Sequence, residues 1–309
     1  MKKINSFIVL LFSLQIIYAF EMVDIPEITF FRPLKNGKQQ EVTVSSFYMS
    51  KDDVLIEEWC EYKDATGIGR EEHITPSDEY INMLKKDLED YYGGAIDEGY
   101  VELYEDYYMP EINLKWPVNC ITWLEAIEYC NWVSKKENLE ICYTISKRAD
   151  GTKTVKWNEK ANGYRLPTVA EWEAVSEIYT GKITEDYIYK TNINIYSGSI
   201  TNRPFSNKYE PNTYGLVNLI CDIGKFLWDY YNENYEDNSL KLLNPHGAED
   251  FEKPNNNKYK NELINEFRRC TVPCDIHTLR EIVNGKNLIF CETSDIYTAN
   301  TIRLCRNKE

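Results

Sequence analysis

The chain has 309 residues, and its 35 Lys and Arg against 50 Asp and Glu give a formal net charge of -15. This balance argues against nucleic acid or anionic membrane as a partner, because both repel a strongly acidic protein. The length suits one large domain with its own core, although two small domains would also fit.

The first nineteen residues have the pattern of a secretion signal. Lys2 and Lys3 provide positive charge, a mostly apolar stretch covers residues 4–17, and Ala19 is small enough for cleavage. The alternative is a retained membrane helix, which needs about 20 apolar residues, and polar residues interrupt this stretch. We therefore expect a signal peptide at residues 1–19, a secreted or periplasmic location, and no membrane insertion after cleavage.

The cysteine and histidine spacings argue against a zinc or thioredoxin-like site. The chain contains nine cysteines, so at least one stays unpaired in a monomer even if an exported protein forms disulfides. No Cys-x-x-Cys occurs, and the three histidines have no metal-ligand spacing.

The N-terminal part predicts strands followed by a helix. Residues 22–44 alternate apolar and polar side chains around a turn at residues 35–38, which predicts a hairpin. Residues 47–51 predict another strand, and residues 55–62 begin a helix that carries Trp59. The acidic segment 87–111 predicts a solvated insertion, because its carboxylates lack the spacing of the alternative, an EF-hand-like calcium loop.

Two further helices are predicted from the same local signal. Thr122 and Thr168 each have a glutamate three residues later, which is the capping-box pattern of a helix start. Trp123 and Trp172 follow on apolar stripes of helical spacing, so we expect both to be buried. Residues 241–261, rich in Asn, Lys and Pro, predict an exposed loop, and residues 298–305 predict a closing strand.

Three segments resemble the formylglycine-generating enzyme, or sulfatase-modifying factor, family. Residues 162–173 read N-G-Y-R-L-P-T-V-A-E-W-E, and residues 117–134 read P-V-N-C-I-T-W-L-E-A-I-E-Y-C-N-W-V-S. A third segment, residues 210–229, is similar in length and order but changed inside. The resemblance covers about residues 22–306 and implies one domain over residues 20–309. The implied fold is α+β, irregular and loop-rich, and related to C-type lectin-like domains.

The resemblance implies a copper(I) site that this sequence only partly retains. Family enzymes bind copper(I) through two cysteines, and here Cys274 falls on the first position while Leu279 falls on the second. Cys270, four residues before Cys274, is a substitute thiol only if the chain turns between them. The alternatives for Cys270 and Cys274 are structural cysteines or a disulfide, no defined role, and metal or redox chemistry.

The implied calcium site is also changed. Asn218 retains the first ligand position, whereas Lys225 replaces the glutamate of the family pattern. Calcium needs oxygen donors, and an ammonium adds positive charge and could itself fill the cation's place. We therefore expect neither copper nor calcium, although both are implied if the family sites persist. The resemblance further implies a disulfide between Cys130 and Cys305.

These changes predict an exported, non-catalytic binding or structural module with an unidentified protein or glycan ligand. The family framework is kept, but both metal positions are altered, and a fold alone does not determine function. The alternative is a formylglycine-generating oxidase that converts a sulfatase cysteine, with an unusual thiol arrangement.

Overall fold

The computed structural model describes residues 20–34, 37–68, 114–119, 121–149, 153–183, 210–220, 223–230, 239–247, 269–272 and 300–308. Three helices and twelve strands lie in these ranges, which confirms the α+β class. The signal segment 1–19, the acidic segment 87–111, Cys274 and Leu279 lie outside them. No helix within the described ranges is long and apolar enough to cross a membrane.

The three helices are α1 (Ile56–Thr66), α2 (Trp123–Lys136) and α3 (Val169–Ser176). Both predicted capping boxes are confirmed: the Thr122 and Thr168 hydroxyls accept from glutamate amides at 3.2 and 3.1 Å. The two glutamate carboxylates accept in return from the threonine amides, each at 2.9 Å. Because these caps fix where α2 and α3 begin, Trp123 and Trp172 face the core, 0% and 1% exposed.

The twelve strands are short and form four small sheets. In chain order they are β1 (Met22–Ile25), β2 (Ile28–Pro33), β3 (Gln39–Val44), β4 (Phe47–Ser50), β5 (Tyr143–Lys147), β6 (Lys153–Trp157), β7 (Tyr164–Arg165), β8 (Gly224–Tyr230), β9 (Lys241–Leu243), β10 (Arg269–Val272), β11 (Asn300–Thr301) and β12 (Cys305–Asn307). The sheets are β1-β4-β12-β7, β2-β3-β9, β10-β8-β11 and β5-β6. The antiparallel pairing of β2 with β3 confirms the predicted N-terminal hairpin, but residues 22–44 form three strands instead of two, and β1 pairs with β4.

Two predictions for the C-terminal half need correction. Lys241–Leu243, inside the predicted exposed loop, forms β9 and pairs in parallel with β3. The predicted closing strand is two strands, because β11 pairs with β8 whereas β12 pairs with β4 and β7 in a different sheet. Ile302, Arg303 and Leu304 connect the two sheets, and all three side chains are buried.

Strand β8 lies between the two clusters of buried side chains that form the core. Leu227 packs in the cluster that contains Trp172, whereas the preceding Phe226 packs in the cluster that contains Trp123. Alternate side chains of a strand point to opposite faces, so one strand contacts both clusters. Gly224 lets β10 and β11 pack closely against β8, because a Cβ there would lie 2.1 Å from Asn300 Oδ1 and 2.8 Å from the Val272 carbonyl oxygen.

Candidate functional site

Two of the described residues that the sequence assigned to metal positions lie on paired strands, Lys225 on β8 and Cys270 on β10. Cys270 lies at an irregularity in their antiparallel pairing, between Arg269 and Thr271. Its side chain is buried, and its thiol donates to the Tyr230 carbonyl across the strand pair, with Sγ and O 3.6 Å apart. The candidate partner thiol, Cys274, is outside the described ranges, so the alternatives for this cysteine pair stay as the sequence left them.

Arg269, beside Cys270, has its guanidinium inside a cage of aromatic rings. Its Cζ lies 4.2 Å from the ring centroid of Trp123, 4.6 Å from Trp228 and 3.4 Å from Tyr230. One nitrogen donates to the Trp228 carbonyl at 2.6 Å. Burial lowers the pKa of Arg269 to about 10, so the side chain is still a cation at neutral pH. The aromatic faces attract that charge where water is absent.

A second buried cation, Lys225, belongs to an ion cluster on β8. Its Nζ lies 3.4 Å from Oδ2 of Asp53 and donates to the Ile223 carbonyl at 2.7 Å. Arg303 places Nε 2.8 Å from the other oxygen of Asp53. Burial raises the pKa of Asp53, while the charges of Arg303 and Lys225 lower it. One carboxylate is therefore held between two cations in a site away from water.

Asn218, the retained calcium position, lies at the edge of this cluster. Its side-chain amide donates to Asp52 Oδ1 at 2.9 Å, next to Asp53 in the chain. Its backbone has φ of 58°, a left-handed conformation that asparagine tolerates better than most residues. Asn218 and Lys225 therefore contact neighbouring aspartates, Asp52 and Asp53 respectively.

The donor set around Asp53 does not fit calcium. Calcium takes six to eight oxygen ligands, whereas Asp53 here contacts an ammonium and a guanidinium. The nitrogen atoms of Arg303 also use the nearby carbonyls of Ser50, Lys51 and Val217, which are oxygens that a metal would need. Across the described residues, no group of three or more His, Cys, Asp and Glu side chains could hold a metal ion.

The disulfide between Cys130 and Cys305, which the resemblance implied, is not formed in this structure, so that prediction is wrong here. Both residues are free, fully buried thiols. Burial raises the pKa of each well above that of an ordinary thiol, so neither is poised to react as a thiolate. They act as small apolar side chains in the core.

Sequence reasoning found Lys225, Asn218 and Cys270 but missed the partners that surround them. Asp53 and Arg303 lie far from Lys225 in the chain, and the aromatic cage of Arg269 is assembled from α2 and β8. The residue types at Lys225 and Arg269 could have indicated such partners, because a buried strand rarely carries Lys or Arg without one.

The described elements define an α+β domain with an ion cluster buried in its interior. The chain belongs to the family of the Sulfatase-modifying factor enzyme 1-like domain, which it matches over residues 20–286.

Two solved structures and one curated relative also resemble this chain. Treponema denticola variable protein 1 has a TM-score of 0.58 at 16% identity, over 94% of this chain and 95% of that one, which shows a shared fold. PvdO from Pseudomonas aeruginosa has a TM-score of 0.46 at 13% identity, over 93% and 94% of the chains. Chaperone protein LppX of Paenibacillus barcinonensis is 32% identical over 148 residues, 45% of this chain and 49% of the relative. The chain therefore spans about half the length of this relative.

Proposed function

We propose that this chain is an exported, non-catalytic member of its family that works as a binding module on a C-type lectin-like frame. The observation that carries the proposal is the Lys225 ammonium beside the buried Asp53 carboxylate, 3.4 Å away. An internal cation stands where the family pattern needs an anionic calcium ligand, so the protein keeps this part of its fold without a metal.

The thiol positions support the same proposal. Leu279 occupies the second cysteine position of the family pattern, and a leucine offers copper(I) no soft ligand. Cys270 donates its thiol hydrogen to the Tyr230 carbonyl, which favours the neutral form over the thiolate that binds metal. The relative named as a chaperone supports a role in binding. The ligand that we propose is a protein or a glycan.

A copper(I) titration of the reduced protein under anaerobic conditions tests the proposal. We expect weak binding that is unchanged in Cys274→Ser, and no formylglycine in a sulfatase-derived cysteine peptide incubated with the protein. One thiolate holds a soft metal weakly, because two fixed sulfurs set the geometry of the site.

The matched control is Cys60→Ser, which removes a buried cysteine from α1 instead of from the family's cysteine segment. Stoichiometric, tight copper binding that is lost in Cys274→Ser but kept in Cys60→Ser, together with formylglycine formation, would establish the oxidase and end the proposal.

A further inference from the structure

A cavity of about 130 Å³ lies on the side of the domain where β6, β7, β12 and the start of α3 meet the turn between β3 and β4. Its wall includes Trp157, Glu159, Arg165, Glu171 and His246. None of these residues belongs to the Lys225 cluster or to the Cys270 segment. The cavity is therefore a second concave region, distinct from the family's metal positions.

The nitrogen donors of the charged and amide side chains in this wall are already used within the protein. Arg165 donates to both carboxylate oxygens of Glu171, at 2.7 and 2.6 Å, and its Nε donates to Asn307 at 2.8 Å. Asn244 donates to the Ser45 hydroxyl at 3.0 Å. The guanidinium charge is thus neutralised by Glu171, and an anionic ligand would find no spare cation here.

Glu159 is the carboxylate in the wall that this pairing leaves uncompensated. Its side chain is 63% exposed, and Oε1 lies 3.7 Å from Nδ1 of His246, too far for a hydrogen bond. The two carboxylates and the one guanidinium of the wall leave one negative charge, which lies on Glu159. The Trp157 ring also contributes to this wall, although its indole Nε1 is shielded from solvent and has no hydrogen-bond partner among the described residues.

From this arrangement we infer that the cavity binds a small organic cation, an ammonium group that donates to Glu159. A charge-assisted hydrogen bond to the Glu159 carboxylate supplies the recognition, and the nearby Trp157 ring makes its indole signal a reporter of binding. The ammonium belongs either to a free amine or to a lysine side chain of a partner protein. This inference deepens the proposed binding role and rests on it.

Titration of the ¹⁵N-labelled protein, followed through the indole signal of Trp157, tests the inference. Trp157→Phe assigns that signal, and the probes are ethanolamine for a free amine and Nα-acetyl-lysine methylamide for a side chain. We expect the signal to shift and saturate, and Glu159→Gln to weaken binding about tenfold, since it removes the charged partner of the hydrogen bond.

The matched control is Glu61→Gln, which removes the same charge from a side chain of similar exposure, 56%, outside the cavity. We expect less than a twofold effect there. Tighter binding of the lysine derivative identifies a partner protein as the source, and tighter binding of ethanolamine identifies a free amine.

Two results would overturn the inference: no saturable shift with either probe, or equal affinity for the Nζ-acetylated lysine derivative, which is neutral. Either result would leave the copper and formylglycine tests untouched, so failure here is distinguishable from failure of the proposed function.

Discussion

At the scale of single residues, Lys225 supplies one of the two cations that hold the buried Asp53 carboxylate. Lys225→Met keeps the length of the side chain but leaves Asp53 with Arg303 as its one described cation. Removing one partner of a buried charge costs about 3–5 kcal/mol, because the remaining charge stays desolvated. We expect the free energy of unfolding, measured with urea at pH 8, to fall by about 3 kcal/mol.

The control for this change is Lys241→Met, in an exposed pair with Glu41 at 3.0 Å. Exposed pairs contribute up to about 1 kcal/mol, so the loss should be small. Burial already raises the pKa of Asp53, and removing a cation raises it further. The Lys225→Met penalty should therefore shrink at acidic pH, where Asp53 takes up a proton. Equal losses for the two variants would contradict the cluster as described.

At the scale of elements, the start of α3 and its buried tryptophan form one unit. The Trp172 side chain is 1% exposed, and its indole donates to the Leu219 carbonyl at 3.3 Å. Trp172→Ala should cost about 3–5 kcal/mol in the free energy of unfolding, because it leaves a large cavity. Chemical denaturation followed by circular dichroism measures this.

Trp132→Ala is the comparison, since Trp132 lies on α2 but is only partly buried. There we expect a loss of no more than about 2 kcal/mol. If the Trp172 variant lost less than the Trp132 variant, the assignment of the core face of α3 would be wrong.

The elements also show how far sequence could predict this fold. The helix starts at Thr122 and Thr168 were predictable because a capping box is complete within four residues. Strand β9 was not, because three residues carry no usable alternation and the partner strand β3 lies about 200 residues earlier. For the site, the residue type at 225 indicated a lost calcium ligand, but only the folded chain brings Asp53 beside it.

At the scale of the whole molecule, the sheet β1-β4-β12-β7 joins the two ends of the described chain. Phe20 precedes it and packs its ring against Tyr164, with centroids 5.8 Å apart. We expect the mature protein to be recovered outside the cytoplasm with its N-terminus near Phe20, because residues 1–19 have the signal pattern. N-terminal sequencing of the exported protein measures this.

A variant that begins with a new Met directly before Phe20 serves as the control and should stay in the cytoplasm. Recovery of the full-length protein with Met1 at its N-terminus would contradict cleavage.

The Lys225 ammonium also has a consequence for how the fold responds to its surroundings. A bound ion stabilises a protein by an amount that falls as the free ion becomes scarce, because the gain follows mass action. The ammonium on β8 is covalently attached to the chain. It therefore stays 3.4 Å from Asp53 whatever ions the medium contains. Dialysis or a chelator cannot remove it, and this part of the domain keeps its cation where an ion-dependent relative would lose one.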